Sequence, residues 1–163
     1  MILDANILLS GSVSAGVLSG QAIAGTNTSV LSTNTYDIAP LSLGGNQPGD
    51  LGAGESMRLE FSVLTGPSAG TSIQFQLIQA DDAALSSNVQ VINQTDAIPI
   101  ASLPNGSLVP LHYDRTAPYA PKRYIGARYV LVGAIAGASI ACSLVKDVQD
   151  VKNIYYKSGF TVA

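Results

Sequence analysis

Hydrophobic residues in this chain occur in short runs that alternate with polar residues, as they do in β-strands. Every second position between residues 57 and 63 is apolar, and the positions between them are polar. Successive side chains of a strand point to opposite faces, so this segment predicts a strand with one buried face. After a turn at residues 66–70, residues 73–78 predict a second strand, which the short link makes antiparallel to the first.

Later segments continue the pattern. Residues 97–101 and 108–113 both contain proline, which cannot donate to a central hydrogen-bond ladder, so we expect edge strands there. Residues 123–132 form the strongest late strand, closed by Gly133 and followed by a second apolar run at residues 139–145. No segment shows the period of an amphipathic helix. About eight short strands with glycine-rich turns predict an all-β, two-sheet β-sandwich, and both jelly-roll-like and immunoglobulin-like topologies fit.

The chain has 163 residues, the length of a single domain. We expect the sandwich core over residues 28–147, an extended N-terminal arm or strand over residues 1–25, and an extended C-terminal arm over residues 148–163. The apolar N-terminus is expected to form an edge strand of its own sheet or a strand donated to a neighbour. Its residues expected to contact a partner are Ile2, Leu3, Leu8 and Leu9.

The C-terminal arm is rich in aromatic residues and also carries lysines. Terminal segments with this much aromatic content pack on their own domain or on a neighbour, because the rings are poorly accommodated in water. The residues of the arm expected to contact a partner are Lys152, Ile154, Tyr155, Tyr156, Lys157 and Phe160.

Residues that carry out catalysis are scarce. The chain has one histidine (His112) and one cysteine (Cys142), and charged residues make up only 12% of it. General acid–base and nucleophilic catalysis rely on such groups, so we expect no enzyme activity, no cofactor and no metal site. Cys142 lies in an apolar run and is expected to be buried, whereas His112 is expected in an exposed loop. The adjacent Asp81 and Asp82 predict a turn or a cap.

Charge and hydropathy argue against two classes of partner. Residues 1–110 contain eight acidic residues and one basic residue, whereas residues 111–163 contain three acidic and seven basic residues. The overall acidic balance disfavours a nucleic-acid surface. Residues 129–145 are uncharged, but the run is short and interrupted by small residues. We therefore expect two buried strands joined by a glycine-containing turn there, and no membrane span.

Several short motifs, spread over most of the chain, occur in the order shown by a known family. They are residues 1–4 with 8–10, the turn at 52–55, residues 75–77 leading to 80–82, Arg123 and Tyr124 with Tyr129, residues 132–133, residues 147–149, and residues 156–160. In these motifs the chain resembles the cement (decoration) proteins of short-tailed bacteriophage heads. It differs from the family at residues 11–35 and 99–121.

The resemblance implies a jelly-roll-like sandwich that binds the outside of the shell formed by the major capsid protein. It also implies self-association, as a homodimer or homotrimer across a symmetry axis, and no catalysis. The protein would be made in the host cytoplasm and reside on the capsid exterior of the virion. The alternative is a carbohydrate- or receptor-binding β-sandwich module of a phage particle, although the chain has no tryptophan for a sugar platform.

We predict that Tyr156→Ala and Phe160→Ala weaken attachment to shells, or self-association, more than they change stability. Aromatic anchors of this kind often contribute about 2 kcal/mol or more to an interface. Charge reversal at Lys152 should have a smaller effect that depends on salt. Shell co-sedimentation and thermal unfolding measure the two properties. Full occupancy by a chain truncated after Gln149 would show that the arm is not a contact.

Overall fold

A computed structural model of the chain describes residues 7–38, 57–113 and 121–145, and the backbone in these ranges is almost entirely β-structure. A short 3₁₀ helix occurs at Ile100–Ser102. No helix in the described ranges is long and apolar enough to cross a membrane. The strands are β1 (Leu8–Ser10), β2 (Ser12–Ser14), β3 (Val17–Ser19), β4 (Gln21–Thr26), β5 (Ser29–Leu31), β6 (Tyr36–Asp37), β7 (Arg58–Thr65), β8 (Ser72–Ala80), β9 (Gln90–Gln94), β10 (Ile98–Pro99), β11 (Leu108–His112), β12 (Tyr124–Val132) and β13 (Ala134–Val145).

The strands form two main antiparallel sheets. In the first sheet, β13, β7 and β11 are successive neighbours, and both β1 and β4 pair along the other side of β13. In the second sheet, β8 pairs with β12, β9 and β10, while β5 and β6 pair with β12. The prediction of an all-β sandwich is confirmed.

The order in which the chain visits the sheets identifies the topology. From β4 to β13 the chain crosses between the sheets at every step except from β5 to β6 and from β8 to β10, where it stays in the second sheet, and β9 and β10 together fill one position of that sheet. The first sheet therefore has the order β4-β13-β7-β11, and the second has β5-β12-β8-β9. This eight-position arrangement is a jelly roll. It excludes the immunoglobulin-like order that the sequence also allowed.

The short link at residues 66–70 does not join paired strands, so the expectation of an antiparallel pair was wrong. β7 pairs with β13 and β11, whereas β8 belongs to the other sheet. Phe61 of β7 and Phe75 of β8 instead face each other across the core, with ring centroids 4.9 Å apart. The link from β12 to β13 also crosses between sheets, through a turn at Gly133. The sequence had predicted two buried strands joined by a glycine-containing turn in this region.

Both strands that contain proline lie at sheet edges, as predicted. β11 is the outer strand of the first sheet, and Pro110 on it is exposed. β10 lies at the edge of the second sheet, where Pro99 pairs with Ser72. Neither proline interrupts a central ladder, because each lies on an outer strand, where a missing N–H group breaks no hydrogen bond between two central strands.

Three aromatic rings form the centre of the core. Tyr129 of β12 meets Phe61 at 5.6 Å and Phe75 at 5.8 Å between ring centroids, in edge-to-face geometry. Its hydroxyl donates to Ser10 Oγ at 2.7 Å, in fully buried surroundings. Burial strongly raises the pKa of Tyr129, so the side chain remains a neutral donor.

The N-terminal boundary of the sandwich lies earlier than residue 28. Leu8 and Leu9 are buried, β1 pairs with β13, and Ile23 of β4 is fully buried. Residues 8–10 and 21–26 are thus strands of the first sheet, because their apolar side chains close one side of the core. The sequence allowed two roles for the N-terminus, an edge strand of its own sheet or a strand donated to a neighbour. Leu8 and Leu9 belong to an edge strand of their own sheet. Ile2 and Leu3 lie outside the described residues.

We expect the Ser10–Tyr129 hydrogen bond to couple β1 to the core. Ser10→Ala leaves a buried hydroxyl without its acceptor, and this should cost about 1–3 kcal/mol. Tyr129→Phe removes the hydroxyl itself, so the double variant should lose less stability than the sum of the two singles. Urea unfolding measures the cycle, with Ser12→Ala in the exposed β2 as control. Additive effects would show that the hydrogen bond contributes nothing.

Candidate interaction surfaces

The single cysteine lies in an environment that suppresses its reactivity. Cys142 is fully buried, and desolvation raises its pKa strongly, with a further contribution from the charge of Glu60. Its thiol therefore stays protonated and inaccessible at neutral pH. The prediction of a buried cysteine is confirmed. His112 is exposed, at the end of β11 and not in a loop.

Near the end of β13, side chains on the outer face of the first sheet are buried as well as those that face the core. Glu60 alternates with Leu59 and Phe61, so its side chain points away from the core, yet it is fully buried. Ala141 and Ser143, which also point outward on the neighbouring strand, are buried as well. The alternation predicted that this face is exposed, and that part of the prediction was wrong.

Asp81 and Asp82 organise a turn, as predicted. Asp82 accepts hydrogen bonds from the hydroxyl and the backbone N–H of Ser86, and this lowers the pKa of its carboxyl. Asp81 accepts from Asn88 and Lys122, which lowers its pKa too. The described ranges contain no group of three or more His, Cys, Asp or Glu residues suited to a metal ion.

This turn folds over one end of the outer face of the second sheet. Leu85 in the turn is buried and packs with Ile78 and Ala80 of β8 in a small second hydrophobic cluster. Gly126 lies below it, and a Cβ there would lie 2.3 Å from Leu85 Cδ1 and displace the Leu85 side chain. The apolar end of the outer face is therefore covered within the chain.

The remaining end of this outer face carries polar and small apolar side chains, and we call it the open face. It consists of outward positions on the central strand and its two neighbours. These are Ser72, Gln74 and Gln76 of β8, Arg128, Val130 and Val132 of β12, and Gln94 of β9. Val132 and Gln94 are exposed, whereas Ser72 and Gln76 are buried beneath their neighbours.

A row of hydrogen bonds crosses the open face from strand to strand. Arg128 Nε donates to Gln76 Oε1 at 2.6 Å, and Gln76 Nε2 donates to Gln94 Oε1 at 2.8 Å. The three residues are direct cross-strand partners. The row holds the guanidinium in place through one of its donors, and the terminal N–H groups have no acceptor among the described residues.

Arg128 differs from the other cations near it. Lys122 pairs with Asp81 at 2.9 Å, and Arg123 pairs with Asp37 at 2.9 Å. Within the described ranges, no carboxylate lies within ion-pair distance of Arg128. A shallow depression beside it is lined by the turn at residues 27–29 and by residues 130–132 of β12.

A second exposed element projects from the edge of the first sheet. β2 and β3 form a separate two-stranded hairpin between β1 and β4, and we call it the β2–β3 hairpin. Its turn residues Ala15 and Gly16 both have positive φ, the signature of a tight primed turn. Val17 is 64% exposed and Val13 is 37% exposed. The hairpin thus presents apolar side chains to solvent on an element that has few contacts with the core.

The structure brings together few of the residues expected to contact a partner. Leu8 and Leu9 lie in the core, and the other eight (Ile2, Leu3, Lys152, Ile154, Tyr155, Tyr156, Lys157 and Phe160) lie outside the described residues. The β2–β3 hairpin was missed, although valines alternating with serines around an Ala-Gly pair could have indicated it. Nothing in the local sequence around Arg128 shows the cross-strand row, because the row depends on register.

We expect Gly11→Ala to disturb the β2–β3 hairpin more than Gly16→Ala. Both glycines have positive φ, which costs an L-residue about 1–2 kcal/mol. At Gly11 a Cβ would also lie 2.3 Å from the carbonyl oxygen of Ser19, whereas nothing lies within 4 Å at Gly16. Hydrogen exchange of the hairpin amides should accelerate more in the first variant. Equal acceleration in both would contradict the packing at the hairpin base.

Comparison with known proteins gives the chain a family. No curated protein matches it. The Bbp16 family model matches residues 17–145, which include β3 to β13 and so all eight jelly-roll positions. The chain therefore belongs to the Bbp16 family, a phage-associated family.

Proposed function

We propose that this phage protein is a structural component of the virion, a cement or decoration protein that binds the outside of the major capsid protein shell and stabilises it. Membership of the phage-associated Bbp16 family over residues 17–145 is the observation that carries the proposal. The motif resemblance to cement proteins of short-tailed phage heads supports the finer assignment.

A cement protein needs a rigid, unreactive body, and the jelly roll has these properties. Its core joins both sheets through three aromatic rings, and its thiol is buried with a raised pKa. We propose a structural role without catalysis, and without a cofactor. A body of this kind can transmit load between neighbouring shell subunits because packed interiors deform little.

The β2–β3 hairpin supports binding to a larger surface. An isolated two-stranded hairpin is at best marginally stable in water, and this one exposes Val13 and Val17. Burying such side chains on a partner is favourable by about 25 cal/mol per Å² of apolar surface. We propose that the hairpin docks on the shell protein, together with the two terminal segments.

The carbohydrate-binding alternative has less support. Sugar sites usually present exposed aromatic rings, and no aromatic side chain in the described ranges is exposed. Tyr113 and Tyr129 are buried, and Tyr124 lies beneath the guanidinium of Arg123, 5.0 Å from the ring centroid.

Binding to shells tests the proposal. The protein should co-sediment at a near-stoichiometric, saturable ratio with undecorated shells assembled from the major capsid protein of its own phage. The double variant Val13→Ser with Val17→Ser should bind about ten-fold or more weakly, because each serine removes apolar contact area worth about 1 kcal/mol. The matched control is Ser12→Ala with Ser14→Ala, which alters the same hairpin and leaves the valines in place.

The two parts of the proposal fail separately. If the wild-type protein does not co-sediment with these shells, the cement function is wrong. If it binds and the valine variant binds equally well at an unchanged melting temperature, the function stands and the hairpin is not a contact.

A further inference from the structure

We propose that Asn105 is a site of spontaneous covalent modification, at which the side-chain amide becomes a carboxylate, and that the fold controls the rate. The reaction uses only water and the backbone nitrogen of Gly106. Hydrogen bonds that hold this turn against β7 keep it unreactive until the turn opens. The inference concerns the chain alone and does not depend on the proposed binding to shells.

The sequence distinguishes this position from every other asparagine. The chain has eight asparagines, and Asn105 alone is followed by a glycine. Asparagine is one of the chemically labile residues of proteins. A following glycine favours its modification, because a residue without a Cβ rotates freely and brings its nitrogen to the asparagine side chain without hindrance.

The reaction is an intramolecular substitution at the Asn105 carboxamide. The Gly106 nitrogen loses its proton to water or hydroxide and bonds to Cγ of Asn105. The bond from Cγ to Nδ2 breaks, ammonia leaves, and a five-membered imide remains. Water then opens the ring at either of its two carbonyls, which gives aspartate or isoaspartate. Both products add one negative charge, and no oxidant or reductant is involved.

Asn105 and Gly106 occupy the two central positions of a tight turn before β11. Ser107 N donates to Pro104 O at 3.1 Å across this turn. Gly106 has a φ of +84° and is the only one of the two central residues with a positive φ, the pattern of a type II turn. Both residues are exposed, so water and hydroxide reach the turn.

Both reacting groups are hydrogen-bonded to the end of β7 and the link that follows it. Gly106 N donates to Val63 O at 2.7 Å. Gly66 N donates to Asn105 Oδ1, also at 2.7 Å. Ring closure takes the Gly106 nitrogen to the Asn105 side chain, so its bond to Val63 has to break first. The folded turn is therefore exposed but unreactive, and its opening limits the rate.

Modification alters the sheet edge that this turn anchors. Val63 N donates to Ser107 O at 2.9 Å, and the next pair along, Leu108 with Ser62, begins β11. Isoaspartate adds a methylene to the main chain of the turn, so the spacing of Gly106 N and Ser107 O no longer matches Val63. We expect the first pairs of β11 to open more readily in the isoaspartate form.

Peptide mapping by mass spectrometry tests the site. Protein is incubated at mildly alkaline pH, either folded or in concentrated guanidinium chloride, and the conversion of each asparagine is followed over time. In the unfolded chain Asn105 should convert faster than every other asparagine. In the folded chain it should convert about ten-fold or more slowly, because hydrogen bonds have to open first. An unmodified Asn105 in the unfolded chain, or equal rates in the two states, would overturn the inference.

A pair of matched variants distinguishes opening of the turn from unfolding of the whole chain. Leu103, just before the turn, is buried, and Leu103→Ala should speed conversion of Asn105 in the folded protein about five-fold or more, because it loosens the turn. Leu9→Ala removes an equally buried leucine from β1 and should leave the rate near that of wild type. Equal acceleration in both variants would show that the turn does not open on its own.

Hydrogen exchange tests the effect on the sheet edge. The isoaspartate form is isolated by chromatography and compared with Asn105→Asp, which carries the same charge on a main chain of normal length. The amides of β11 should exchange faster in the isoaspartate form. Equal exchange in the two proteins would contradict the expected loosening of the edge.

Discussion

The contact among Phe61, Phe75 and Tyr129 is the interaction on which the rest of the structure depends. Each ring comes from a central strand, one from the first sheet and two from the second, so the contact fixes how the sheets face each other. Edge-to-face pairs of this kind add about 0.5–1.5 kcal/mol beyond the area they bury. The hydroxyl of Tyr129 extends the same contact to β1 through Ser10. The edge strand β1 is thereby tied to the same centre.

A body held together in this way leaves its edges and outer faces available for different contacts. The first sheet is covered at the end of β13 and extends at its edge into the β2–β3 hairpin. The second sheet is covered at one end by the turn that contains Leu85 and is open at the other. In the proposed role, the hairpin contacts the shell.

The sequence predicted those parts of the fold that local patterns control. Alternation located β7, β8 and β12, because each has one face in the core, and proline located the edge strands β10 and β11. Pairing was not predictable in the same way. The link after β7 has the length of a hairpin, yet β7 pairs with β13 while β8 pairs with β12, so the link crosses between sheets and places Phe75 opposite Phe61.

The candidate surfaces were harder to predict for a physical reason. Arg128, Gln76 and Gln94 are far apart in sequence, and they meet only because register makes them cross-strand partners. Leu8 and Leu9 were correctly recognised as apolar, but composition cannot distinguish a side chain that closes its own core from one that binds a neighbour. Their burial beside β13 makes that distinction.

Calorimetry of shells tests the central claim most directly. A protein that binds the assembled shell and not its separated subunits must stabilise the shell by mass action. Adding this protein to undecorated shells should raise their melting temperature progressively, up to a plateau at a fixed ratio of protein to shell subunit. An unchanged melting temperature at saturating concentrations would contradict the account.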